Sequence, residues 1–150
     1  MKILKKIGVV LICVPGVFLF LIISWEIFSI AVNNFYNIAV QKDELICAIR
    51  NASDIEIIDT YSFVGNTGGT GNHCELLSAA VVRNKIGNTP SFYYAVDKTA
   101  DYIWSLSEMQ EFSYDEWSRR LDFPEDETNC YLLIKIDSAP FDNIQGQFGH

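Results

Sequence analysis

Apolar residues in this chain fall into one long block and then into shorter runs with distinct periods. From Ile7 to Trp25 there is no charged residue, a run of 19 dominated by Val, Leu, Ile and Phe. At 1.5 Å rise per residue, this is close to the roughly 20 residues that cross the hydrocarbon of a bilayer as a helix. Pro15 and Gly16 lie inside it; both disrupt helices in water and are tolerated in lipid. Trp25 and Tyr36 stand where aromatic residues favour a membrane interface. Lys2, Lys5 and Lys6 precede the block, and the next basic residue is Lys42. The excess of positive charge on the near side predicts a cytoplasmic N-terminus and an exported remainder.

Two other uses of such a block compete. Ser29 and Ala31 form a small-x-small site before Val32, as a cleaved signal peptide requires. A signal's apolar region usually runs about 7–15 residues, shorter than this one, and Glu26 falls between block and site. Lipid attachment at Cys13 is disfavoured because Ile12 precedes it and the apolar run continues past it. The reading adopted is an uncleaved signal anchor over residues 1–35, in contact with membrane lipid through residues 7–25.

Residues 36–150 carry shorter patterns. Residues 35–50 read as a helix, with Ile38, Leu45 and Ile49 on one stripe, Ala39 and Ile46 widening it, and Gln41, Lys42, Asp43 and Glu44 on a wet face. Asn33–Asn34 is a weak joint through which this helix would continue the membrane helix. Residues 55–64 are β-branched and aromatic and read as a strand. Residues 74–83 read as its antiparallel partner across a glycine-rich loop, although Asn72 and Glu75 would also suit a helix start. Short strand character is expected over 91–96, short helices over 97–106 and 114–121, and an acidic loop over 124–129. The clearest strand is 130–137: Cys130, Leu132, Ile134 and Ile136 share one face, and Tyr131, Leu133, Lys135 and Asp137 the other. From Ser138 onward the chain reads as loop with one helical turn.

The sum of these elements is a single α+β domain with a mainly antiparallel sheet of about four strands and two or three helices, preceded by a transmembrane helix. Charge narrows its partners. Residues 36–150 hold 8 of the 11 basic and 18 of the 19 acidic residues, a net charge of −10. No nucleic-acid partner is expected, because such binding depends on cationic contacts to phosphate; docking on anionic lipid is disfavoured for the same reason.

The candidate chemistry is sparse. The loop Gly65-Asn66-Thr67-Gly68-Gly69-Thr70-Gly71-Asn72 lacks the Gly-Lys-Ser/Thr ending of a phosphate loop and the spacing of a dinucleotide fingerprint. A wide hairpin loop explains it; as a binding loop it would use Gly65, Asn66, Gly69, Gly71, Asn72 and His73, since successive amides in such a turn can face an anion. His73 and Cys74 are adjacent, but neighbours on a strand point to opposite faces, so they do not form a Cys–His pair. Asp122, Glu125, Asp126 and Glu127 lack calcium-loop spacing. No C-x-x-C pair occurs, so no metal is expected, and no cofactor. No two of the eighteen carboxylates stand out as an acid and a base. Of the cysteines, Cys47 reads as a small core residue, and Cys74 and Cys130 as the pair to be neighbours if their strands lie parallel or offset.

Thr60-Tyr61-Ser62-Phe63-Val64-Gly65-Asn66, Gly69-Thr70-Gly71-Asn72-His73, Asp137-Ser138-Ala139-Pro140-Phe141 and the closing Gly149-His150 together resemble a family of small, uncharacterised bacterial membrane-anchored proteins. The resemblance implies an N-terminal membrane segment and a strand over 74–83, and no activity. The function expected from all this is binding or interaction at the extracytoplasmic membrane surface, with another protein as the partner. The rival is a surface hydrolase or other enzyme using acidic residues or Cys74.

Overall fold

The molecule begins as one long helical rod. The computed structural model describes residues 2–51, 54–67, 73–85, 89–112, 117–124 and 129–147. Helix α1 (Lys2–Ala31) passes through a π-helical turn (Val32–Asn37) into α2 (Ile38–Asn51) without a break. The joint expected at Asn33–Asn34 is that π turn. Its cause is visible in the inward-facing residues. Ser29, Asn33, Ile38, Gln41, Leu45 and Ile49 are all buried. They follow one another at three- or four-residue steps except for the five-residue step from Asn33 to Ile38, where the Ile38 N–H bonds to the Asn33 carbonyl. An uninterrupted α-helix advances about 100° per residue and would swing Ser29 and Asn33 off this face. The extra residue keeps both halves of the rod facing the domain. On the apolar block, the side chains from Val14 to Ile23 are exposed, and this is a helix long and apolar enough to cross a membrane.

The domain is built on one antiparallel sheet in the order β1-β2-β4-β3, formed by β1 (Ile55–Gly65), β2 (Glu75–Asn84), β3 (Tyr102–Ser105) and β4 (Cys130–Ser138). This is the expected α+β architecture. β1 and β2 form the expected hairpin, from Ile55↔Asn84 to Gly65↔Glu75, with a bulge between Ile57 and Asp59. Central β2 is buried on both faces from Leu76 to Val82, because each face is covered. Helices α2 and α3 (Thr89–Val96) press Leu45, Ile49, Phe92 and Val96 onto Ala80, Val82, Tyr131 and Leu133. On the opposite face Met109 of α4 (Leu106–Phe112), with Trp117 and Leu121, covers Leu77, Val81, Leu132 and Ile134. The alternation expected for β4 holds for Tyr131 and Leu133 on one face and Leu132, Ile134 and Ile136 on the other.

Between β2 and β4 the structure departs from expectation. Residues 91–96 belong to helix α3 and not to a strand. Pro90 in the first turn suits a helix start. Phe92 and Val96, four apart, both reach the core, where the Phe92 ring stacks on Tyr131 with centroids 4.5 Å apart. The helix expected over 97–106 is instead a turn and edge strand β3, whose Ile103 and Trp104 enter opposite clusters. A missed signal explains the start of α4. In Ser105-Leu106-Ser107-Glu108 the Glu108 N–H donates to Ser105 Oγ (3.3 Å) and the Ser105 N–H to Glu108 Oε2 (2.9 Å), a reciprocal capping box. That backbone N–H holds the Glu108 carboxyl below its usual range. Of the helix expected over 114–121, residues 113–116 lie outside the described residues; Trp117–Leu121 forms a turn closed by Leu121 N–H donating to Trp117 O at 2.9 Å. Most of the acidic loop, 125–128, is likewise outside them.

The cysteine expectations fail on register. β2 and β4 are antiparallel with Arg83 opposite Cys130 and Glu75 opposite Ser138. Cys74 and Cys130 therefore lie at opposite ends of the strand pair, about 30 Å apart at about 3.4 Å per residue, and both are free. Cys47 is exposed on α2, not a core residue.

Candidate functional site at the helix junction

Glycine-loop base, rod and the segment after β4 meet at one end of the sheet. β1 ends there at Gly65, β2 begins at Glu75 and β4 finishes at Ser138. The 139–147 segment then folds back over the rod, ending in a 3-10 turn (Ile144–Gln147). A small apolar cluster of Ile38, Val64, Leu76 and Ala139 marks the crossing.

Amide side chains hold this crossing together. Asn33 Nδ2 donates to the Phe141 carbonyl (2.6 Å), and Asn37 Nδ2 to Asn33 Oδ1 (3.0 Å). Asn34 Nδ2 donates to Gln145 Oε1 at 2.7 Å. The Ile144 N–H donates to Glu26 Oε2 at 3.1 Å. Phe141 packs edge-on against Trp25 and Phe28, centroids 5.6 and 5.8 Å away. A second group ties α2 to the sheet. Gln41 Nε2 donates to the Leu76 carbonyl (2.7 Å) and to Asp137 Oδ2 (3.1 Å), while Ser78 Oγ donates to Gln41 Oε1 (2.8 Å). Gln41, expected on the wet face, is therefore buried. Its place at the three- and four-residue steps between Ile38 and Leu45 was the available signal. Beside it, Lys135 Nζ lies 3.0 Å from Glu44 Oε2 and 3.4 Å from Asp137 Oδ2. Burial works to lower this ammonium's pKa, but the two carboxylates outweigh it and hold it above the usual lysine value.

The residues singled out from the sequence fall around this junction in part. Asn66 is buried and its Nδ2 donates to the Gly146 carbonyl at 3.2 Å. The Thr67 N–H (2.9 Å) and its hydroxyl both donate to Glu75 Oε2. Gly69, Gly71 and Asn72 lie outside the described residues. His73 is exposed and its Nδ1 is 3.4 Å from Asp142 Oδ2. Gly146 is required where it stands: a Cβ there would lie 2.7–2.8 Å from the backbone of His73 and Cys74.

Cys74 and His73 do not form a pair. The Cys74 side chain is buried, with Sγ donating to Asn143 Oδ1 at 3.1 Å, while His73 turns to Asp142. Burial pushes the thiol pKa up; hydrogen bonds from Asn143 and Gly146 pull it down less, and the Asp142 and Glu26 carboxylates add to the rise. A thiol protonated in this way is a poor attacking group. Asp142 itself accepts the Cys74 N–H at 2.9 Å, and that bond, with His73 adding to it, draws the carboxyl below its usual range. Among the described residues no three His, Cys, Asp or Glu side chains gather as a metal site would need.

Comparison with family models, with curated proteins and with solved structures finds no match to this chain.

Proposed function

We propose that this protein is a single-pass signal-anchored binding domain, with its N-terminus cytoplasmic and its domain held against the extracytoplasmic face of the membrane. The observation that carries the reading is the grip of the 139–147 segment on Glu26, Asn33 and Asn34, immediately beyond the uncharged block. Such a grip makes rod and domain one unit, so the anchor is part of the folded protein. Cleavage before Val32 would remove Trp25, Glu26, Phe28 and the buried Ser29 from that unit. The three N-terminal lysines support the orientation.

The glycine loop leaves the sheet at this same end. Exposed His73, at the base of this loop, is then the contact point for a partner at membrane level, such as another membrane protein, while Gly65 and Asn66 are buried beneath it. The experiment is photo-crosslinking in intact cells, with a benzophenone amino acid at His73 and, as control, at exposed Tyr94. Adducts to membrane proteins concentrated at position 73 support the reading. Equal labelling at both sites removes the loop as the contact surface. A soluble, shortened species starting near Val32 removes the anchor.

A further inference from the structure

We propose that the π turn and the 139–147 segment form a latch. While the segment grips, the rod keeps the extra residue in its turn; when it lets go, the turn closes into α-helix and α1 rotates against the domain by about 100°. The consequence at a membrane rests on the anchored reading; the latch itself rests on the junction. The two halves of the rod are held by different partners. Helix α2 is fixed to the sheet by Leu45 and Ile49 in the core and by Gln41 on Leu76, Ser78 and Asp137. Helix α1 is tied to the domain through the segment: Phe141 packs on Trp25 and Phe28, and the Ile144 N–H donates to Glu26. The turn between the helices is gripped by the same stretch, with Asn33 on the Phe141 carbonyl and Asn34 on Gln145. The rotational setting of α1 on α2 is therefore fixed by residues 141–145.

Asn34 joins turn and segment in one side chain. Its Nδ2 donates to the Ile30 carbonyl four residues back (2.9 Å) as well as to Gln145 Oε1 (2.7 Å), and Gln145 Nε2 reaches back to Asn34 Oδ1 at 3.4 Å. Releasing the segment changes the balance in the turn. A π turn gives up regular α-helical hydrogen bonding, which is why such turns are rare and brief. Its gain here is the burial of Ser29 and Asn33, both at 0% exposure. Lipid does not resist the rotation, because the side chains from Val14 to Ile23 are exposed on every side of the helix and no charge lies among them. The input lies in the middle of the segment. Asp142 accepts the Cys74 N–H and pairs with exposed His73. A partner that takes His73 draws on a contact that seats the segment, so binding there and the setting of the anchor bias one two-state element.

The test uses the full chain in phosphatidylcholine vesicles, with Cys13→Ala and Cys47→Ser so that only introduced thiols react; Cys74 and Cys130 are buried. Nitroxide pairs at Leu21→Cys with Tyr94→Cys, and at Ile23→Cys with Tyr94→Cys, give two rod-to-domain distances by pulsed electron resonance. The segment is released by Phe141→Ala with Gly146→Ala, neither of which touches the sequence of the rod. A turn of about 100° carries a point on a helix about 10–12 Å wide through about 8–9 Å, and positions 21 and 23 lie about 200° apart. Release is therefore expected to move both distances to new, equally narrow values, by about 3 Å or more and in opposite directions. Deleting Phe35, whose side chain is exposed by 82%, makes the rod α-helical throughout with both halves still facing the domain. In that chain the same release is expected to leave both distances in place. Unchanged distances in the parent chain, with hydrogen exchange showing Ile144–Gln147 freed, overturn the latch, because the rod then keeps its turn unaided. Broad distributions after release overturn it in favour of a loose hinge. An equal shift in the Phe35-deleted chain overturns closure of the turn as the cause; if that chain does not fold, the parent distances decide alone. Flotation reads the anchor separately: a chain that stays out of the lipid fraction removes the anchored reading, while the same distances in detergent still decide the latch.

Discussion

The sheet is held differently at its middle and at its helix-junction end. In the middle, α2 and α3 on one face and α4 with the Trp117–Leu121 turn on the other bury aliphatic and aromatic side chains against β2 and β4. At the junction hydrogen bonds from amides to amides, carbonyls and carboxylates surround a small apolar cluster and the rings of Trp25, Phe28 and Phe141. Apolar packing is non-directional and scales with area, so it stabilises the domain while leaving the angle of a packed helix adjustable. Hydrogen bonds add little net stability each but fix geometry, and they are costly to leave unmade. The core therefore keeps the domain folded, whereas the junction decides how the rod is set into it.

The largest effect is expected in the middle of the sheet. Leu133 is fully buried between Ala80, Val82 and the helices. Leu133→Ala is expected to cost about 3 kcal/mol, within the roughly 2–5 kcal/mol seen for such truncations, read from denaturant unfolding of the detergent-solubilised chain. A loss under about 1 kcal/mol would show that this face is not close-packed.

Gly146→Ala attacks the junction. The added Cβ meets backbone at 2.7–2.8 Å, and backbone cannot step aside as a side-chain tip can. The 139–147 segment should lift, at a cost of about 1–3 kcal/mol. Hydrogen exchange should quicken at Ile144–Gln147 and at the Cys74 amide while β2 and β4 stay protected; uniform loss of protection would mean that the two regions are not separable.

Gln41→Leu removes the amide that serves the Leu76 carbonyl, Asp137 and Ser78 Oγ at once. Buried polar groups left without partners give an expected cost of about 1–2 kcal/mol. Leucine keeps the apolar volume, so a neutral result would show that water serves these groups instead.

The smallest effect is electrostatic. Asp142 has its carboxyl held below the usual range, mainly by the Cys74 N–H. A group with a depressed folded value contributes stability above the unfolded carboxylate pKa, about 3.9, and loses it as pH falls through the folded value. Docking of the 139–147 segment should therefore be insensitive to Asp142 between pH 5 and 8 and loosen below about pH 4. Protease nicking of that segment against pH reads this, and Asp142→Asn should flatten the acid step; a step unchanged in that variant assigns it to another group.

What the sequence alone determined is what local periodicity encodes. The uncharged block has the length of a helix that crosses lipid. The strand at 55–64 shows in its β-branched and aromatic residues, and that at 130–137 in a period of two that puts every second residue on one face; 74–83, apolar on both faces, carries no such period and is fixed as a strand by pairing with both neighbours. Ser105-x-x-Glu108 lies within one turn and carries a helix-start signal, but it falls inside the helix expected over 97–106, and only the strand ending at Ser105 exposes it as a cap. The tertiary structure alone decided the rest. Residues 91–96 form too short an apolar run for period to separate strand from helix, and Tyr131 stacking on Phe92 with Val96 in the core settles it as helix. Gln41 looks solvated beside Lys42, Asp43 and Glu44, and only the arrival of Leu76, Ser78 and Asp137 from distant strands makes burying its amide favourable. The antiparallel register, not the position of each cysteine at the head of a strand, separates Cys74 from Cys130. The π turn has the same origin: one extra residue in the rod is worth its weaker hydrogen bonding only because Ser29 and Asn33 must face what Ile38 and Leu45 face.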